Sequence, residues 1–309
     1  EIHLQVAYQK YLPTHLISKS LSFKFVLTII LYRIVYNMIF KYIAGNNFYS
    51  ALNISNKIVQ QHKVPIINFA VENSIHQDII INEFNNIEKN VNFNCKLAIK
   101  LSLFNFDKNI IKPIISNLCN KNIQILVDAE NDINYDKYNN LTNDLISEFN
   151  QKHLNIIKTY QMYRKDSLRN IDNDLQAMKN NNIKLGIKLV RGAYWNTDKH
   201  SNNLFLNKID TDLNYNEGIL KLFRENNNST NILATHNNES LNLGYLLNKN
   251  RQIFEFGHLM GMKEDKFNYL VENNQIVNVY VPYGPYRYMI PYLSRRLYEN
   301  IDTIKYMIL

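Results

Sequence analysis

Two cations interrupt a run that otherwise reads as a buried strand. The stretch Lys184 to Trp195, KLGIKLVRGAYW, opens with Ile187, Leu189 and Val190, aliphatic and β-branched residues that fit a pleated interior. Lys188 and Arg191 are set among them. An unpaired cation in an apolar interior loses several kcal/mol of hydration, so each must reach water at the strand's end, a carboxylate, or an electron-rich ligand. Gly192 and Ala193 follow, small enough for the backbone to approach a ligand closely. Tyr194 and Trp195 come next, with rings that can lie against a flat one. A strand end with two snorkelling cations and an aromatic plug has the same pattern. A second candidate is Arg295 with Arg296 in PYLSRRLYEN. Guanidinium binds a carboxylate through two parallel hydrogen bonds, and Tyr292, Arg295, Arg296 and Glu299 share one surface of a helix. The plain alternative is a solvated helix with an Arg295–Glu299 pair worth a few tenths of a kcal/mol.

The elements that would position these residues recur along the chain. Short apolar runs appear at Ile66–Val71, Leu97–Leu101, Ile123–Val127, Ile156–Tyr160, Leu185–Val190, Ile232–Ala234, Ile253–Phe256 and Val277–Val281. Between them lie segments with helical spacing, such as Ile110, Ile111, Ile114, Ile115 and Leu118, then Tyr138, Leu141, Leu145 and Phe149, then Leu168, Ile171, Leu175 and Met178. Eight strands alternating with helices predict a parallel (β/α)8 barrel. An open doubly wound sheet gives the same alternation but more often carries a glycine-rich first turn, which is absent here. Lys100, Asp128, Gln161, Lys188 with Arg191, His236 and Tyr280 fall at or just before the C-terminal ends of successive strands, where barrel enzymes keep their sites. One such residue is unremarkable as a satisfied polar group; a series in register is not.

Composition sets the outer bounds. A chain of 309 residues with 46% apolar content is long enough for one large barrel after an N-terminal segment, and the reading places a helical segment at 1–63 and the barrel at 64–309. The net charge of +8 favours an acidic partner such as a membrane surface or a phosphate-bearing cofactor. No basic run announces nucleic-acid binding. Cys95 and Cys119 make no disulfide framework, and no spacing offers a metal site. Neither GxGxxG nor GxxxxGK occurs. Residues 21–44 are the most apolar segment, but Lys24, Arg33 and Lys41 break the run below the ~20 residues that span a bilayer. That segment is expected to pack on the barrel or lie on a membrane surface. The chain starts at Glu1 rather than Met, so a fragment is expected, with any targeting peptide upstream.

KLGIKLVRGAYW resembles the strand-5 motif of the proline dehydrogenase family. The resemblance continues through DAE at 128–130, TYQMYRKD at 159–166, ATHN at 234–237, FGHLMGM at 256–262 and YVPYGPYRYMIPYLSRRLYEN at 280–300, in the family's order. It implies a distorted (β/α)8 barrel with the last helix over its mouth, FAD as cofactor, L-proline as substrate and a membrane quinone as electron acceptor. Its eukaryotic look implies the matrix face of the mitochondrial inner membrane. By the same resemblance Lys100, Arg295 and Arg296 clamp the substrate carboxylate, Asp128 balances the positive cluster, and Leu259, Tyr280 and Tyr292 wall the proline ring, with Glu299 alongside on the last helix. Gln161, Lys188, Val190, Arg191, Gly192, Ala193, Tyr194 and Trp195 lie along the flavin. Thr235, His236 and Asn237 match a block at its ribityl and phosphate end, and Lys208 reaches the pyrophosphate. The chain departs from the pattern at Asn207, where an Arg is common, at His258 in place of Gln, and at Lys263 in place of a small residue. These departures bear on the pyrophosphate grip more than on the chemistry. Two rival readings are a hydroxyproline dehydrogenase, against which the bulk of Tyr280 argues, and an inactive barrel acting as a membrane-surface binding protein.

Overall fold

In the computed structural model of this chain, each apolar run of the sequence becomes a strand, and the strands close on themselves. The structure describes residues 40–71, 76–225, 229–249, 251–289 and Tyr292. The strands are β1 (Val64–Phe69), β2 (Lys96–Ile99), β3 (Gln124–Val127), β4 (Ile156–Gln161), β5 (Gly186–Val190), β6 (Asn231–Ala234), β7 (Phe254–Leu259) and β8 (Val277–Tyr283). All pair in parallel in chain order, and β8 closes on β1 with Ile66 opposite Tyr280. Parallel strands covered by helices are buried on both faces and so read as nearly continuous apolar runs. Accordingly β2 and β4 are buried at every position.

The inward side chains form tiers. Ile66, Ala98, Leu126, Ile157 and Ile232 pack together inside the barrel with Tyr280 against them. Toward the strands' N-terminal ends, Lys96 pairs with Glu255, which also accepts a 2.7 Å hydrogen bond from Asn278 Nδ2. With that end plugged, the accessible space lies at the C-terminal ends.

The outward faces pack on amphipathic helices: α1 (Phe48–Gln60), α2 (Gln77–Asn90), α3 (Lys108–Asn120), α4 (Tyr135–Phe149), α5 (Ser167–Asn180), then, after the short α6 (Trp195–Asp198) of the loop following β5, α7 (Lys208–Glu225), α8 (Asn238–Leu247) and α9 (Glu264–Glu272). In α3 the buried stripe is Ile111, Ile114, Ile115 and Leu118, and the Asp107 carboxylate caps the helix by accepting from Asn109 N at 2.9 Å, a local preference of Asp. Lys158 of β4 points into this helical layer. Its ammonium is buried but donates to Asp174 at 2.6 Å, Asn143 at 2.7 Å and Asn139 at 2.6 Å, which meets the requirement that a buried charge be paired and hydrogen-bonded.

The chain falls into two compact units, Glu1–Lys41 and Tyr42–Leu309. Ahead of β1, α1 buries Phe48, Ala51 and Ile58 and sets the Phe48 ring 6.2 Å from that of Tyr283 in β8. Most of the apolar segment 21–44, together with Arg295, Arg296 and Glu299, lies outside the described residues.

Candidate active site

At the C-terminal mouth the barrel opens into a cavity of about 840 Å³, within the range of small-molecule and cofactor sites. Three strands interlock in it. Asp128, one residue past β3, accepts a 2.7 Å hydrogen bond from Lys188 Nζ of β5 through Oδ1 and another from the Tyr280 hydroxyl of β8 through Oδ2. The same ammonium lies 5.2 Å from the centroid of the Tyr280 ring, within cation–π reach. Lys188 therefore finds the carboxylate that its place in a buried strand demands. Burial first, and then the neighbouring Asp128 charge, push the Tyr280 hydroxyl well above its usual pKa, so it stays protonated and donates. Lys100, directly after β2, lines the same cavity, as do Leu259 and Tyr292.

Facing this group across the mouth are the ends of β4 to β7. Gln161 closes β4. Its Nε2 donates to Glu130 O at 2.9 Å and its Oε1 accepts from Ala193 N at 3.3 Å, which fixes the loop after β5. In that loop Gly192 has φ +137°, and a Cβ there would lie 1.4 Å from the Tyr163 ring. Only glycine fits, for both reasons. Val190, Gly192, Ala193 and Tyr194 line the cavity. Trp195 does not: the chain turns at Tyr194 into α6, and Trp195 is 43% exposed.

Arg191 is the second strand cation, and it too finds a carboxylate. Its guanidinium donates to Asp212 of α7, to Thr235 Oγ1 after β6 and, at 3.0 Å, to Ser240 Oγ of α8, with Tyr215 4.4 Å beneath it. The Thr235 oxygen also accepts from Asn237 N at 3.0 Å. Lys208 donates to the other oxygen of Asp212, and the paired cations hold that carboxyl below its usual pKa against the opposing effect of burial. His236 Nε2 accepts from Leu259 N at 3.3 Å, which sets its tautomer, and its ring meets Phe267 edge-on.

Of the residues singled out in the sequence, Lys100, Asp128, Gln161, Lys188, Val190, Arg191, Gly192, Ala193, Tyr194, Lys208, Thr235, His236, Asn237, Leu259, Tyr280 and Tyr292 all line this one cavity. Asn68, Asp212 and Glu239 line it as well and were not singled out. Asp212 had a legible signal, its i, i+4 spacing from Lys208 on a helix. His258, noted only as a departure, is 3% exposed and stacks on Phe267 at 4.0 Å. Its Nδ1 faces the carbonyls of Leu259 at 3.1 Å and Met262 at 3.2 Å, and so carries the proton. Burial brings its pKa down to about 4. The charged residues lining the cavity are Lys100, Lys188, Arg191, Lys208 and Lys263 against Asp128, Asp212 and Glu239. The surplus is positive, which suits an anionic ligand.

Proline dehydrogenase 1, mitochondrial, of Dictyostelium discoideum is 34% identical over 206 residues, covering 60% of this chain and 36% of its own. The human protein of the same name is 28% identical over 200 residues, covering 59% and 33%. Hydroxyproline dehydrogenase of Xenopus laevis is 30% identical over 202 residues, covering 59% and 43%. The chain thus spans between a third and a half of the length of these relatives. Among solved structures, proline utilization A from Bdellovibrio bacteriovorus superposes with a TM-score of 0.80 over 89% of this chain and 34% of its own, at 18% identity, a likeness of fold. Residues 40–307 match the family model described as proline dehydrogenase, and the chain belongs to that family.

Proposed function

We propose that the protein oxidises L-proline to 1-pyrroline-5-carboxylate with FAD as cofactor and passes the electrons to a quinone. The observation that carries this reading is the interlock of Asp128, Lys188 and Tyr280 in a cavity shared with Lys100. The donor set fits FAD. Gln161 and the loop 191–194 provide amides and a flat aromatic along one wall, and the positive surplus of the lining suits a ligand that carries phosphate.

When bound, FAD supplies the hydride acceptor for the carbon next to the proline nitrogen. The chain's own residues orient the substrate. Lys100 holds the carboxylate, joined by Arg295 and Arg296, which the sequence resemblance assigns to the same clamp. Leu259, Tyr280 and Tyr292 form the apolar wall against the ring and exclude water from it. Asp128 holds both Lys188 and the Tyr280 hydroxyl, so neither swings into the substrate's place. The positive surplus disfavours a further cation in the cavity and so favours the substrate amine as the free base. Purified full-length chain incubated with L-proline and a soluble quinone should release 1-pyrroline-5-carboxylate over many turnovers, with no more than about one equivalent per bound flavin if the quinone is omitted and none if L-proline is omitted. Flavin-loaded protein that forms no product would refute the reading.

The same reading places the protein at the mitochondrial inner membrane, on its matrix face. Relatives with "mitochondrial" in their names, the net charge of +8 and the basic, apolar segment 21–44 support it. Among the described residues no helix is long and apolar enough to cross a membrane. A basic helix lying in the interface gains roughly 1 kcal/mol per basic residue near an anionic leaflet. Salt-sensitive sedimentation with anionic liposomes, reduced by deleting residues 1–44, is the expected result, and no binding by the flavin-loaded protein at low salt would exclude it.

A further inference from the structure

Lys263 stands in an unusual place for a lysine. It precedes α9 at the position where Ser, Thr, Asp or Asn ordinarily accepts a backbone N–H, with left-handed backbone angles of φ 49° and ψ 39°. That conformation is uncommon for a residue with a side chain, and an ammonium has no lone pair with which to cap a helix. Its side chain instead reaches over to the loop after β6, where Nζ donates to His236 O at 2.8 Å and to Asn238 Oδ1 at 3.2 Å. Both partners are neutral. Its charged neighbour is another cation, Lys266, and burial followed by that repulsion lowers its pKa.

The other cations on this side of the cavity are already matched. Arg191 and Lys208 share the two oxygens of Asp212. Asn207, next to Lys208, carries no charge and caps α7 by accepting from Asp210 N at 2.7 Å. Lys263 therefore brings to the cavity an exposed positive charge held by two neutral oxygens, and a bound anion would compensate it best. We propose that Lys263 supplies the charge that grips a phosphate of the dinucleotide cofactor, an assignment that rests on the flavin reading above.

The experiment compares the full-length wild type with Lys263→Met and Lys263→Arg, each stripped of flavin and titrated with FAD and, separately, with riboflavin, which lacks phosphate. Flavin fluorescence reports binding, and thermal melting checks each variant's fold. Lys263→Met should bind FAD roughly ten- to a hundredfold more weakly, as for loss of a hydrogen bond to a charged group, and with a shallower salt dependence. Riboflavin affinity should be unchanged, and Lys263→Arg should restore FAD binding. FAD affinity unchanged in Lys263→Met, or equal weakening of FAD and riboflavin, would overturn the assignment while leaving the flavin reading intact. A wild type that takes up neither ligand would overturn both.

Discussion

Removing Asp128 tests how the cavity is held together. The Asp128 and Lys188 side chains are only 14% and 6% exposed, so they form a largely buried pair, and Asp128→Ala strands two donors at once. Breaking a buried ion pair from one side costs about 3–5 kcal/mol, and an orphaned buried hydroxyl such as that of Tyr280 adds about 1–3 kcal/mol. The cavity opens to water, which can re-solvate the ammonium in part, so the low end of each applies: about 4 kcal/mol in all, measured by urea unfolding. Lys188→Met should cost less, because Asp128 keeps its hydrogen bond from Tyr280. The double variant removes both charges and should fall short of the summed losses by about 1–3 kcal/mol, the size of coupling expected for contacting charged residues. Losses that add to within about 0.5 kcal/mol would show that the two groups do not depend on each other, and the interlock would fail as an explanation of the site.

Gly192→Ala must place a methyl group into the Tyr163 ring at φ +137°. Overpacking and backbone strain together should cost at least about 2 kcal/mol and lower the flavin content, and a variant with normal melting and normal flavin would contradict the geometry. Burial holds His258 in the folded state at a pKa of about 4 against 6.5 for an ordinary imidazole, so the unfolded chain takes up its proton first. Its contribution to stability is full above pH 6.5 and is lost as pH falls from 6.5 to 4, by about 2 kcal/mol between pH 7 and 5. Its neighbours Glu264 and Lys63, paired at 3.0 Å, remain in His258→Gln, so that variant should lose correspondingly less stability than wild type over the same interval; parallel profiles would refute the assignment. Tyr280→Ser should weaken proline use and narrow the preference against 4-hydroxyproline, since the lost ring opens space in the cavity wall; an unchanged ratio of the two kcat/KM values would remove that role.

The barrel was legible because its signals are local. Each strand announces itself as a short apolar run, and the observed boundaries differ from the sequence reading by a few residues at most, the largest extensions being at the ends of β7 and β8. The cations at Lys188 and Arg191 were legible as a problem to be solved, because a charge in a buried strand needs a partner. What the sequence concealed was the identity of the partners. Asp128 lies 60 residues from Lys188 and Asp212 lies 21 from Arg191, and only closure of the barrel decides which carboxylate meets which cation. Lys158 shows the same limit. It reads as one more polar residue in an apolar strand, yet it faces outward to Asp174 on α5 rather than into the site. Trp195 reads as part of a ligand-facing run, but the turn at Tyr194 carries it to the surface. His258 and Lys263 could be noticed as departures from a family pattern, but their contacts with Phe267 and His236 required the folded β6 and β7 loops.

The central claim is that this cavity brings L-proline against a flavin, and an anaerobic titration addresses it most directly. Flavin-loaded full-length protein is mixed with L-proline in the absence of any electron acceptor, and the visible absorbance is followed. The account predicts loss of the oxidised flavin bands, recovery on adding a quinone, and a large rise in the proline concentration needed for bleaching when Lys100 is changed to Met. Protein that holds flavin yet keeps its full absorbance at saturating L-proline would contradict it.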